Sequence, residues 1–144
     1  MIKIIAVGKI KEQYIKDGVN DYLKRIKKYT KIEVIEIKDT NLDEEKENIL
    51  KVINAKDHII TLDIGGKQLT SAELADKLNE IILYNSNITF IIGSSFGLHQ
   101  AIKDLSKFSL SFSKLTFPHQ LFRLVFLEQL YRSYKINNNE IYHK

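Results

Sequence analysis

Apolar residues fall in two alternating rhythms along this chain. Residues 2–7 (IKIIAV) are mostly β-branched and run into Gly8, the pattern of a buried strand ending in a turn. The period then lengthens. Val19, Tyr22, Leu23 and Ile26 mark one face of a helix over about residues 12–28. Residues 31–37 (KIEVIEI) alternate strictly, which predicts a strand with one wet face near a sheet edge. A polar stretch from Asp39 precedes a helix from about Asp43, with Ile49, Leu50 and Ile53 inward. Residues 57–64 (DHIITLDI) predict a third strand, closed by Gly65-Gly66. Ser71 is placed to cap a helix reaching about Tyr84, burying Leu74, Leu78, Ile81 and Ile82. Residues 88–92 (ITFII) predict a fourth strand, with a short helix near Leu98 and a fifth strand over 108–112 (FSLSF). A loop over 113–117 and the only proline, Pro118, lead into a last helix over about residues 119–135. A polar turn at 137–139 then gives way to the tail Glu140-Ile141-Tyr142-His143-Lys144.

This alternation predicts a single α/β domain over residues 1–144, with a mostly parallel sheet and helices on both faces. No internal repeat, low-complexity segment or linker divides it. Such sheets take ligands at loops beyond the strands' C-terminal ends. The candidates are Gly65-Gly66, residues 93–97 and residues 113–117. The last helix is apolar almost all round, from Leu121 and Phe122 through Phe126 to Tyr134. One sheet face cannot cover such a helix, so a homodimer interface is expected to supply the second cover.

Composition narrows the chemistry. Without cysteine there is no disulfide, no thiol nucleophile and no thiolate zinc site. The four histidines, His58, His99, His119 and His143, share no short ligand spacing, so no metal is expected. Lys3, Lys9 and Lys11 break up the start of the chain, leaving no secretory leader pattern. The longest uncharged stretch, residues 81–102, is too rich in Asn, Ser, Gly and His to span a membrane. A cytoplasmic protein is expected. A net charge of +4 permits an RNA partner without requiring one. Lys24, Arg25, Lys27 and Lys28 have two readings, complements to a helix dipole or an RNA-contact patch.

Two loops and the tail carry the candidate chemistry. Gly93-Ser94-Ser95-Phe96-Gly97 matches neither a Walker A loop nor the dinucleotide fingerprint. It is either a plain strand-to-helix turn or a place where backbone approaches a ligand closely. Residues 113–119 (SKLTFPH) combine hydroxyls, a lysine and a fixed turn. They serve equally as a helix start, with Thr116 as a cap and Pro118 in the first turn, or as a ligand loop. His119 and His143 are the histidines best placed for chemistry. The tail, with two rings and a cation, either frays or folds into a site.

FIIGSSFGL, LSFSKLTFPHQLFRLVFLEQLYRSYKI and the terminal YHK resemble the ribosomal RNA large subunit methyltransferase H family. The N-terminal half is similar to that family more loosely. The resemblance implies a SPOUT-class domain whose C-terminal segment threads a trefoil knot, and a homodimer. It implies methyl transfer from S-adenosyl-L-methionine to N3 of pseudouridine 1915 in 23S rRNA on the ribosome. The cofactor contacts it implies are Leu62, Gly93, Phe112, Ser113, Lys114, Leu115, Thr116 and Phe117. One departure stands out: the family's second glycine is Ser94 here.

The imide N3–H must lose its proton, and His143 is the first candidate base, His119 the second. Tyr142 is expected to position the target base. Arg123 is expected to stabilise charge on the imide oxygens. Lys114, Arg132, Lys135 and Lys144 are candidates for holding phosphates. Rival readings are a knotted methyltransferase with another RNA target, and a non-catalytic RNA-binding protein with a vestigial pocket.

Overall fold

The computed structural model describes every residue from Met1 to Lys144. Five strands, β1 (Ile2–Val7), β2 (Ile32–Ile37), β3 (His58–Gln68), β4 (Ile88–Ile92) and β5 (Phe108–Ser111), form one sheet in the order β2-β1-β4-β3-β5. All four pairings are parallel. Between them run α1 (Gln13–Ile26), α2 (Leu42–Val52), α3 (Ser71–Ile82) and α4 (Gln100–Leu105), and α5 (His119–Asn137) closes the chain. The strictly alternating β2 lies at one edge, as its wet face requires.

Strand alternation sorts the core into two layers. Ile2, Ile4, Ile60, Ile88 and Phe90 face α1, α3 and α5, in a cluster of 22 buried residues. Ile5, Val7, Ile59 and Ile91 face α2 and α4, in a cluster of 8. The uneven layers have a cause in α5. This helix lies between α1 and α3, and no residue from His119 to Asn137 is fully exposed. Phe126 is completely buried, edge-on to Phe90 at 4.9 Å. Neighbouring helices of the same layer therefore supply much of its cover, while Leu121, Phe122, Leu124 and Val125 remain half-buried. Gly18 lets α1 approach closely, since a Cβ there would lie 2.9 Å from Leu124.

Three local expectations are corrected. Gly65-Gly66 does not end β3. The strand bulges between Leu62 and Lys67, then pairs again with Leu110 and Ser111. Gly66 permits this, because a Cβ there would sit 2.7 Å from the Ser109 backbone. Thr70, not Ser71, caps α3: its hydroxyl accepts from Glu73 N and the Glu73 carboxylate accepts from Thr70 N, a capping box. Leu50 and Ile82 are exposed rather than inward, and Glu45 is buried instead, its carboxylate accepting from Thr40 N at 2.8 Å.

His58 opens β3, at the opposite end of the sheet from the candidate loops. Its Nε2 is buried without a partner. Burial, with help from Lys77 and Lys107, holds its pKa below the ordinary histidine value. The unfolded chain therefore takes up the proton first, so stability is lost as pH falls below about 6.5. His58→Gln is expected to flatten this acid-side loss in thermal melts across pH 5 to 7 (a window set roughly by the free histidine value). An unchanged slope would remove His58 as its source.

Candidate active site

Two of the three loops chosen from the sequence, residues 93–97 and 113–117, converge, whereas Gly65-Gly66 stays within β3 and away from the cavity lining. A cavity of about 690 Å³ opens at the C-terminal ends of β3, β4 and β5, within the size range of small-molecule sites. Its walls are Leu62, Asp63 and Ile64 where the β3 bulge begins, residues 92–98, and residues 110–113 and 115–119 with Phe122. Of the expected cofactor residues, Leu62, Gly93, Phe112, Ser113, Leu115, Thr116 and Phe117 all line it. Lys114 does not; it stands exposed in the same loop.

The glycine loop is tight for steric reasons. A Cβ on Gly93 would lie 2.3 Å from the carbonyl oxygen of Gly97. Gly97 has φ +84°, a left-handed conformation that glycine adopts without strain. Gly97 N donates to Ser94 O at 2.8 Å, closing the turn. Ser94, the departure from the family pattern, turns its hydroxyl onto its own loop, accepting from Phe96 N at 3.2 Å. It acts as a turn clasp. His99 anchors the far end: its Nδ1 accepts from Ala101 N at 2.9 Å, and its Nε2 lies 3.2 Å from Asp43 of α2.

The third loop is held from within and from below. Ser111 Oγ donates to Ser113 O, and Leu115 N donates to Ser113 Oγ at 2.9 Å. Phe112 packs edge-on against Phe122 at 5.0 Å and tilts against Phe126 at 6.0 Å. The rigid α5 thus sets the position of the loop before it. Leu115 and Phe96 stand mostly exposed at the rim.

His119, the first residue of α5, lines the cavity with its ring against Gly8. Thr116 does not cap the helix. Pro118 holds the cap position, where its missing N–H costs nothing. Arg123 is a correction. It is buried and does not line the cavity: Nη1 donates to Glu36 at 2.5 Å and Nη2 to Gly8 O at 3.1 Å. It ties α5 to the ends of β1 and β2 and so positions His119.

The tail is also elsewhere within one chain. The Tyr142 ring lies edge-on to Tyr131 at 4.9 Å, and its hydroxyl donates to Glu128 at 3.1 Å. Burial and the Glu128 carboxylate push its pKa well up, so the phenol stays protonated. His143 Nδ1 is 3.1 Å from Arg132 Nη1. Glu140, bonded by Tyr29 and Lys135, pins the turn before it. Arg132 is ten residues beyond Phe122, about 15 Å along the helix axis. The proposed phosphate holders Arg132 and Lys135 are engaged by Glu128 and Glu140. Sequence reasoning missed Asp63, Lys103 and Phe122 as lining residues. Asp63 was within reach of it, one step beyond Leu62 on the same strand end.

No helix is long and apolar enough to cross a membrane. The architecture and the cavity match one class of protein. A family model described as "Predicted SPOUT methyltransferase" matches residues 1–143. A solved structure described as a probable methylase family protein from Haemophilus influenzae superposes with a TM-score of 0.58. It covers 99% of this chain and 70% of that one, at 15% identity, so it speaks for the fold alone. Over 99% of both chains, this protein is 49% identical to the putative ribosomal RNA large subunit methyltransferase H of Methanococcus maripaludis. It is 45% identical, again over 99% of both, to the ribosomal RNA large subunit methyltransferase H of Acetivibrio thermocellus. The chain belongs to the ribosomal RNA large subunit methyltransferase H family of SPOUT methyltransferases.

Proposed function

We propose that this protein methylates 23S rRNA at N3 of pseudouridine 1915, with S-adenosyl-L-methionine as donor. The observation that carries the reading is the convergence of two backbone-rich loops, after β4 and after β5, with Leu62, Asp63 and Ile64 of β3 on one cavity. The lining suits the donor. Leu62, Ile92, Leu110 and Phe112 offer apolar surface for a flat base. Gly93 lets the loop fold back on itself at the cavity wall, where any Cβ would collide with the Gly97 carbonyl. When bound, the donor supplies an electrophilic methyl on a sulfonium centre. Gly93 and residues 112–117 hold it, and their rigidity supplies orientation, worth several kcal/mol (roughly, for a well-placed pair).

The acceptor must present an unpaired, outward-turned base, which favours a loop of the rRNA. Its N3 proton needs a base, whose contribution is roughly 10²–10⁴-fold. His119 is already at the cavity. His143 is not, and its Nδ1 lone pair faces Arg132. A homodimer resolves this: the second copy's tail reaches the cavity, bringing Tyr142 and His143 to the target base. The family's trefoil knot in the C-terminal segment belongs to the same reading. The return of α5 between α1 and α3 supports it.

Two experiments test the proposal. The first is mass mapping of 23S rRNA from cells lacking the protein. A normal methyl at that nucleotide would overturn the assignment, and a missing methyl elsewhere would indicate another target. The second mixes a Gly93→Ala chain with a His143→Ala chain, each inactive alone. If tails act across the dimer, the mixture regains about a quarter of the normal activity, because half the dimers are mixed and each has one intact site. No recovery would mean that each chain completes its own site.

A further inference from the structure

The cavity contains one acid and one lysine, and they face each other. Asp63 Oδ2 lies 3.3 Å from Lys103 Nζ, and both residues line the cavity wall. Asp63 is the only carboxylate in the lining; apart from Lys103, the only other titratable group there is His119. The pair is only partly buried, with side chains 23% and 32% exposed, so both groups are open to a ligand in the cavity. Asp63 Oδ1 also accepts from Gly65 N at 3.3 Å, which fixes the carboxylate on the β3 bulge. Lys103 comes from α4, directly after the glycine loop.

We infer that Asp63 and Lys103 form the subsite that reads the amino-acid end of the methyl donor, its α-ammonium on Asp63 and its α-carboxylate on Lys103. This rests on the proposed donor and deepens that reading. Apart from His119, the remaining lining is apolar side chains, hydroxyls and loop backbone, suited to a nucleoside but not to two full charges. A zwitterion leaving water needs charged partners of opposite order. The pair presents one negative and one positive group within the span of a single ion pair, so inserting the zwitterion exchanges one ionic contact for two. Charge-assisted hydrogen bonds of this type are the stronger ones. A merely structural ion pair would hold α4 on β3 and would treat all ligands of the cavity alike.

The test separates these roles by ligand rather than by activity. S-Adenosylhomocysteine and 5′-methylthioadenosine share the nucleoside and the thioether, but only the first has the amino-acid end. Both are titrated calorimetrically into the full-length protein and into Asp63→Asn, Lys103→Gln and Lys103→Arg. The unaltered protein is expected to prefer S-adenosylhomocysteine by at least about tenfold, as hydrogen bonds to charged groups allow. Asp63→Asn and Lys103→Gln collapse that preference while leaving 5′-methylthioadenosine affinity unchanged, and Lys103→Arg keeps it. Retained 5′-methylthioadenosine binding reports that a variant is folded; if Asp63→Asn does not fold, the two Lys103 variants decide. Parallel weakening of both ligands, or a preference that survives the variants, overturns the inference and leaves the proposed function standing. Binding of neither ligand by the unaltered protein overturns both.

Discussion

Gly93→Ala is expected to abolish donor binding and methyl transfer while leaving most of the fold in place. The new methyl would lie 2.3 Å from the Gly97 oxygen and 2.6 Å from its carbonyl carbon. Those are backbone atoms, and Gly97 is already in the left-handed region, so the turn cannot yield by a rotamer change. The loop must open by an ångström or more. A shift of that size commonly costs about a hundredfold in a positioned reaction. Calorimetric titration with S-adenosylhomocysteine checks the binding, and circular dichroism checks the fold. Normal binding by a folded variant would show that this turn is not part of the donor site. Ser94→Gly is the informative contrast. It removes only the hydroxyl clasp on Phe96 N, so binding is expected to persist, with a looser loop.

Phe126→Ala carries the largest expected stability effect. Phe126 is fully buried between Phe90 of β4 and Phe112 of the third loop. Truncating a core phenylalanine costs about 3–5 kcal/mol through lost transfer energy and the cavity left behind. Domains of this size are stable by roughly 5–15 kcal/mol, so the loss is a large fraction of the total. The effect reaches the site as well. Phe112 loses one of the two rings beneath it, and residues 113–117 lose their reference position. Denaturant melts measure the first effect and S-adenosylhomocysteine affinity the second. Phe126→Leu keeps more of the volume and is expected to recover most of both. A stability loss without any change in affinity would separate the loop from the core packing.

Much of the frame was legible in the chain. The runs IKIIAV and ITFII were legible as strands, the first as a buried one, because strands of a parallel sheet covered on both faces are mostly apolar and β-branched. Their boundaries are those of β1 and β4. The strict alternation of KIEVIEI placed β2 at an edge. The cavity was legible too, since ligand loops follow strand ends and the glycines and hydroxyls were visible there. Thr70-Ser71-Ala72-Glu73 also held a readable capping box, masked by the serine beside it.

Other features depend on contacts between distant residues, which local periodicity does not encode. The β3 bulge exists because Gly66 lies against the Ser109 backbone, 43 residues away by the numbering. Arg123 looked like a catalytic cation until its partners, Glu36 and Gly8, came from the opposite half of the chain. The position of α5 between α1 and α3 is likewise a matter of packing, not of hydropathy. Asp63 and Lys103 are 40 positions apart by the numbering and meet only because α4 lies beside the end of β3. Sequence by itself therefore determined where the five strands lie along the chain, though not the full length of β3, and which strand-end turns are rich in backbone. Tertiary structure alone decided which charged side chains face the cavity and which are taken up in holding it, because a charge's role depends on the partner opposite it.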